Sequence, residues 1–371
     1  MRIFLYGTLC HLPLLRVVLG RNPDAIAAQL SDHGVVWAAG ENYPILRVEP
    51  GATCDGIVVT VSDGERERLD FYEGPFGYAL RPVMVTGSEG ALEAQVYWPA
   101  SSALKQGARW SLADWERDWA EIVTQAASEV MAAFGQQSAE AVARRSTMIL
   151  GRAQAYVNTK AWDRPRSIGR RIGAENIQML AHAHSYLGFF TLEDMTVTHP
   201  RFDGGAPITV DRAVFRVGEA ATLLPYDPAR DRVLLVEQFR PAPFAHGDQD
   251  PWLLEPVAGL CDPGETPAET ARREAKEEAG VSIGELHFVA RYYPSPGATA
   301  QVLHSYVGIA DLPDDLPRSG GLADEGEDIA LHLVSFARAM DAMQSGEIVV
   351  APLIMSLQWL AAYREVLRGG A

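Results

Sequence analysis

Residues 259–281 read G-L-C-D-P-G-E-T-P-A-E-T-A-R-R-E-A-K-E-E-A-G-V, and no other stretch restricts the chain so tightly. Thr266, Pro267 and Glu269 make a helix start, with threonine as N-cap, proline at the first helical position and glutamate at the third; Gly280 is placed as C-cap. The spacing predicts a helix over 267–279. On it Glu274, Glu277 and Glu278 fall at i, i+3 and i+4, which stacks their carboxylates on one face. They also crowd the negative end of the helix dipole, where each costs about 0.3–1 kcal/mol. A local rule broken this way points to a gain elsewhere. The gain expected is binding of divalent cations, because hard ions such as Mg²⁺ take oxygen ligands and bridge to substrate phosphates.

A length of 371 residues exceeds one ordinary core, so the chain divides into domains. With 47% hydrophobic and 22% charged residues the composition is that of a soluble globular protein. A net charge of −16 argues against nucleic acid or an anionic membrane surface as partner. An anionic substrate must therefore be held by metal and a few placed arginines. Cys10, Cys54 and Cys261 show neither C-x-x-C pairing nor metal spacing, which fits a reduced cytoplasmic protein. The start M-R-I-F-L-Y-G-T-L-C-H-L-P-L-L-R is interrupted by His11, Pro13 and Arg16, so it reads as strand, turn and short helix and not as a signal peptide. No stretch is long and apolar enough to span a bilayer.

Residues 1–105 form a strand-rich first domain, with R-I-F-L-Y, D-G-I-V-V-T-V, L-R-P-V-M-V-T and L-E-A-Q-V-Y-W divided by Gly, Pro and Asp. Residues 106–175 are a helical connector, in which Trp110, Trp115 and Trp119 at helical spacing read as core or interface anchors. The basic, Gly/Pro-punctuated run at 161–175 closes it. Residues 176–371 form the last domain: strands flank the turn D-P-A-R-D, and A-P-L-I-M-S-L-Q-W-L-A-A-Y-R-E-V-L is an amphipathic helix ending at Gly369.

The stretch at 259–281 resembles the Nudix box, G-x5-E-x7-R-E-U-x-E-E-x-G-U, at every fixed position: Gly259, Glu265, Arg273, Glu274, Glu277, Glu278 and Gly280, with Ala275 and Val281 as the aliphatic or small U. Residues 186–360 are similar to the ADP-ribose pyrophosphatase branch nearly end to end, carrying Y-L-G-F-F-T-L, L-L-V-E-Q-F-R, P-W-L-L-E-P-V-A-G, S-P-G and L-A-D-E-G-E-D-I in that order. Pro296 of S-P-G is the most diagnostic residue for the branch. The resemblance implies an α/β/α sandwich in which the Ala258 carbonyl, Glu274 and Glu278 ligate Mg²⁺, or Mn²⁺ in its place, with Glu277 in the same shell or orienting it. Arg273 is expected to pair with Glu277 or Glu265. Arg212 and Arg240 match substrate contacts, and arginine suits a diphosphate because its fork binds two oxygens. Phe189 matches an aromatic that stacks on adenine, often across a homodimer. Glu325 matches the base that activates water, ahead of Glu327 and Asp328. The implied reaction cleaves a nucleoside diphosphate sugar, ADP-ribose first, to AMP and ribose 5-phosphate. Gln301 stands where the branch commonly has an acid, which keeps a GDP-mannose pyrophosphatase as rival. A non-catalytic nucleotide-sugar sensor is the rival of another class, and the intact R-E-A-K-E-E cluster argues against it.

Tyr6-Gly7-Thr8-Leu9 after an N-terminal strand, Y-P at 43–44 and L-D-F-Y-E-G at 69–74 followed by Y-A-L-R-P-V resemble the gamma-glutamylcyclotransferase-like family over about residues 1–100. The fold this implies is a mixed β-barrel with helices, so the whole chain is classed as α/β (α+β). In that family the amides of Y-G-T-L hold the gamma-glutamyl carboxylate, and Glu73 would be the acid/base for ring closure to 5-oxoproline. A binding module that keeps the fold without turnover is the alternative. Asp70 is expected to be a structural cap.

Overall fold

The computed structural model describes residues 1–74, 77–99, 105–169, 172–322 and 326–369. It divides into two compact units: Met1–Arg164 with Leu187–Phe189, and Pro165–Tyr186 with Phe190–Ala371.

In the first unit the strand Arg2–Leu5 lies between Pro44–Thr60 and Gly90–Pro99, and the order continues through Tyr78–Gly87 to Ala25–Ala38. Ala25–Ala38 pairs back onto Pro44–Thr60, which closes a five-stranded barrel; Gln106–Arg109 hangs on its outside. The pairing of Arg2–Leu5 with Gly90–Pro99 is parallel and the other barrel pairings are antiparallel, so the barrel is mixed. Side-chain alternation explains the two cores. Phe4, Tyr6, Leu30, Val58, Ala94 and Val96 fill the barrel. Ile3, Leu5 and Val59 point the other way, into a second core with Leu14, Leu15, Leu69 and Trp115. Those last residues come from the helices Leu12–Leu19, Asp63–Glu73 and Leu112–Asp118. Trp115 is fully buried and its indole N–H donates to the Asn42 carbonyl at 2.9 Å. Leu187 is buried with Ile122, Val142 and Ile149, while Arg152, 2% exposed, pairs with Glu129 and donates to the Phe189 carbonyl.

In the second unit the strands Ile208–Asp227 and Arg232–Phe239 are joined across D-P-A-R-D, where Asp231 takes a left-handed φ of 53°. Thr299–Ile309 lies parallel to the first of these strands; Ile329–Ser335 lies antiparallel to the second. Alternate residues feed two layers. Ala221, Leu223, Leu234 and Val236 face Ala271, Ala275 and Ala279 of the helix Pro267–Ala279. Leu224, Tyr226, Val233 and Leu235 face Phe336, Ala339, Leu353 and Leu357 of the helices Phe336–Ser345 and Ala351–Gly369. The result is the α/β/α sandwich. Gln178–Leu187 pairs with Thr191–His199, which pairs antiparallel with the first half of Ile208–Asp227. No helix of the described residues is long and apolar enough to cross a membrane.

Candidate active site

The helix Pro267–Ala279 begins and ends as its sequence dictates. Thr266 accepts from the Glu269 amide, Glu269 returns the bond to the Thr266 amide, and Gly280 closes the helix at φ 66°. This fixed start sets the phase of the helix. Thr270, Ala271, Ala275, Glu278 and Ala279 turn toward the sheet, and Glu274 and Glu277 stand at its border.

The strand Val257–Leu260 runs alongside, paired antiparallel with Ile208–Asp227, and brings Ala258 and Gly259 against the acidic face. The Ala258 amide donates to Glu278 Oε2 at 3.3 Å. A Cβ on Gly259 would stand 1.7 Å from Glu274 Oε1, so only glycine admits that carboxylate. Arg273 knits the acids together, donating to Glu265 Oε1 at 2.9 Å, Glu274 Oε1 at 2.8 Å, Glu277 Oε2 at 2.7 Å and the Leu260 carbonyl at 3.2 Å. Both sequence-level pairings of Arg273 therefore coexist. Glu265 feels burial pushing its carboxyl up, but the Arg273 and Thr270 bonds outweigh it and hold it below the usual range. Burial, opposed in part by the charge and hydrogen bond of Arg273 and reinforced by the charges of Glu277 and Glu327, pushes Glu274 up to about 7. Burial together with Glu274 and Glu327 pushes Glu278, 1% exposed, up to about 8.

This is a cluster of hard oxygen donors whose mutual repulsion the protein's own cations leave incompletely compensated. That donor set fits Mg²⁺, which takes a few carboxylates and completes its shell with water and substrate phosphate.

Arg240, the residue after Arg232–Phe239, is held by Glu255 at 3.0 Å from its Nε, and its charge reaches Glu278 and Glu327. Glu255 lies in P-W-L-L-E-P-V-A-G, where nothing local marks it, and only its hydrogen bonds with Arg240 show its use. Glu327 is tied to its loop by the Leu322 amide, which donates to its Oε2 at 3.1 Å. Glu325 lies outside the described residues. Gln301 sits on Thr299–Ile309 at the register shift between Ala300 and Val302, and Pro296 lies exposed in the preceding loop.

Arg212 is exposed, donates to the Asp211 carbonyl at 2.7 Å, and lines a shallow cavity of about 420 Å³ with His182, Asp194 and Thr196. Phe189 is exposed and belongs to the first unit.

A second site lies in the first unit. Tyr6, Gly7, Thr8 and Leu9 line a partly open cavity of about 60 Å³ together with Asn42, Tyr43, Pro44, Tyr72, Glu73, Tyr78 and Tyr97. That is room for roughly four waters or one small polar group. Glu73 ends the helix Asp63–Glu73. The residue is half-buried, yet its carboxyl lines the cavity, and burial pushes it up to about 7. Tyr78 donates to the Pro44 carbonyl at 2.7 Å, and Tyr6 to the Tyr97 carbonyl at 3.1 Å. Asp70 is not a cap: Ser62 caps that helix, and Asp70 accepts from the Tyr97 hydroxyl at 2.8 Å, steadying the cavity wall.

Gly259→Ala is expected to lower any activity of the box site by tenfold or more while shifting stability by less than about 1 kcal/mol. The backbone there is not left-handed, and the added methyl must displace Glu274 from its bond to Arg273. Steady-state kinetics beside a thermal melt test this; full activity would show that Glu274 need not sit against Val257–Leu260.

Residues 217–352 match the NUDIX domain, and residues 3–117 match the domain described as gamma-glutamyl cyclotransferase, AIG2-like. The chain is 38% identical over 207 residues to the ADP-ribose pyrophosphatase of Escherichia coli (strain K12), covering 55% of this chain and 97% of that protein. It is 35% identical over 201 residues to the ADP-ribose pyrophosphatase of Haemophilus influenzae, covering 54% of this chain and 92% of that protein. It is 34% identical over 187 residues to a GDP-mannose pyrophosphatase of Salmonella arizonae, covering 50% of this chain and 96% of that protein. The acidic helix, its glycine-gated strand and these likenesses agree: the chain belongs to the Nudix hydrolase family, with a gamma-glutamyl cyclotransferase, AIG2-like domain preceding the Nudix domain.

Proposed function

We propose that the second unit is a Mg²⁺-dependent nucleoside diphosphate sugar pyrophosphatase that hydrolyses ADP-ribose to AMP and ribose 5-phosphate. The observation that carries this is the cluster of Ala258, Glu274, Glu277 and Glu278 within electrostatic reach of Arg240. Mg²⁺, or Mn²⁺ in its place, supplies Lewis-acid charge to the diphosphate when bound. Glu274 and Glu278 would hold the cation with the Ala258 carbonyl, and Arg273 fixes the rotamers of Glu274 and Glu277. Arg240, oriented by Glu255, presents its free edge to a phosphate oxygen. Water attacks one phosphorus, the bridging P–O bond breaks, and a glutamate takes the water proton. Glu325 is assigned that role, with Glu327, whose charge already reaches Glu274 and Glu278, as the alternative.

Arg212, Phe189, Pro296 and Gln301 are assigned to the nucleoside and sugar. Phe189 and Arg212 serve through a homodimer, in which a second copy completes each site, and a monomeric mass by light scattering in an active sample would refute that arrangement. The three cysteines are free, which suits a reducing cytoplasm.

Relatives of both specificities align with this chain, so the substrate is settled by a Mg²⁺-dependent hydrolysis panel over ADP-ribose, GDP-mannose, ADP-glucose and NADH. The highest kcat/KM is expected for ADP-ribose. A preference for GDP-mannose would trace to Gln301, whose amide lacks the charge expected to place the ribose.

The Glu73 carboxyl, raised by burial in this cavity, favours a second activity in the first unit. There the amides of Tyr6–Leu9 hold the carboxylate of a gamma-glutamyl group. Its α-amine nitrogen attacks the gamma-carbonyl carbon and the amide C–N bond breaks, while Glu73 takes the amine proton and returns it to the leaving amine.

A further inference from the structure

The strand Gln178–Leu187 carries His182 and His184 two residues apart, so both imidazoles project from one face of it. Its neighbour Thr191–His199 presents Glu193, 3% exposed. His182 Nε2 stands 3.1 Å from Glu193 Oε2 and His184 Nε2 stands 3.6 Å from Glu193 Oε1. One ligand atom from each residue lies within 4.8 Å of both others.

A tetrahedral ion with bonds of about 2.0–2.1 Å separates its ligand atoms by about 3.3 Å. The two measured separations, each to a different oxygen of the Glu193 carboxylate, lie close to that value, and a small turn of the carboxylate brings one oxygen into reach of both imidazoles. The two imidazoles also meet edge to face, with ring centroids 4.9 Å apart, which holds their Nε2 atoms on the same side of the strand pair. On the carboxylate's remaining lone pairs, Arg216 Nε donates to Oε1 at 2.5 Å and Nη2 donates to Oε2 at 2.9 Å. Each carboxylate oxygen can accept two bonds, so the guanidinium orients Glu193 and leaves one lone pair per oxygen for the histidine side. An outer partner that orients a ligating carboxylate is the usual support of a metal site. His182 is 38% exposed at its side chain and gives an entry path.

We propose that His182, His184 and Glu193 bind a borderline divalent cation of the Zn²⁺ class, with a fourth position open to water. Two imidazole nitrogens and one carboxylate oxygen suit Zn²⁺, Co²⁺ or Ni²⁺ and disfavour Mg²⁺, which demands oxygen and an octahedral shell. The site differs in donor chemistry from the all-oxygen cluster of the Nudix box, so the two separate by metal type. Bound there, the ion ties Gln178–Leu187 to Thr191–His199.

The test uses the full chain, stripped of metal and held in saturating Mg²⁺ so that the box is occupied, titrated with Zn²⁺ in a calorimeter. One tight equivalent is expected. His184→Ala and His182→Ala should each weaken it by at least tenfold, while Glu274→Gln leaves it in place. Co²⁺ added to the wild type should give the intense visible absorption of a tetrahedral nitrogen-bearing site, which an octahedral oxygen site lacks, so the result does not depend on any variant folding. Absence of that absorption, no Zn²⁺ uptake over Mg²⁺, or uptake unchanged in both histidine variants would overturn the proposal.

Discussion

Glu278→Gln is expected to lower Mg²⁺-dependent hydrolysis by about a hundredfold or more, equivalent to roughly 2.7 kcal/mol of transition-state stabilisation. Glu278 is 1% exposed and is surrounded by the charges of Glu274 and Glu327, with the Ala258 amide and Arg240 in partial opposition. An amide of the same shape removes a charge the cation needs and also removes repulsion from the metal-free protein. Fold and activity should therefore move in opposite directions: without metal the variant melts no lower than wild type, and added Mg²⁺ raises the wild-type Tm but not the variant's. Glu274→Gln should behave alike. Undiminished hydrolysis in both variants would remove these two carboxylates from the metal site. A variant that lost activity and also melted far lower would show only a packing role.

Glu73→Gln should abolish release of 5-oxoproline from gamma-glutamyl substrates and leave nucleotide cleavage untouched, because the two sites share no residue and such effects add independently. Ring closure needs positioning and proton transfer only. The release should accordingly persist in EDTA, in which Nudix hydrolysis stops. Glu73 acts first as base, and burial holds its carboxyl at about 7, so kcat/KM should rise as the pH climbs through about 7. Stability moves the other way. The folded group protonates at about 7 against an ordinary value of 4.5, so ionising it costs folding free energy between those values, at most about 3 kcal/mol, and the cost is complete above pH 7. Glu73→Gln should then stabilise the first unit at pH 8 and leave it unchanged at pH 4, measurable by urea titration at both. If wild type yields no 5-oxoproline from any gamma-glutamyl peptide, amine or glutathione, Glu73 is a ligand contact in a binding module.

Local chemistry was legible in the chain itself. Thr266, Pro267, Glu269 and Gly280 bound their helix within its own residues, and a capping box needs nothing from the rest of the fold. The stacking of Glu274, Glu277 and Glu278 follows from helical pitch, so an all-oxygen cation site could be read before any tertiary contact was known. The strands at 2–6, 55–61, 80–86 and 92–98 announced themselves by β-branched and aromatic residues between turn signals.

What the sequence left open was decided by pairing across long separations. Ala25–Ala38, A-I-A-A-Q-L-S-D-H-G-V-V-W-A, has too much alanine and polar residue to read as a strand; its pairing with Pro44–Thr60 makes it one and closes the barrel. Asp70 reads locally as a cap, but Tyr97, brought over on a strand beyond the helix, turns it into a support of the cavity. Arg240 finds Glu255 only once the two paired strands bring their side chains together, and Glu73 shifts because the fold buries its carboxyl beside Tyr6, Tyr72 and Tyr78. Desolvation and strand register belong to the folded chain as a whole. A window of sequence fixes the helix that offers carboxylates, but only the assembled sheets determine how much water and which charges those carboxylates meet.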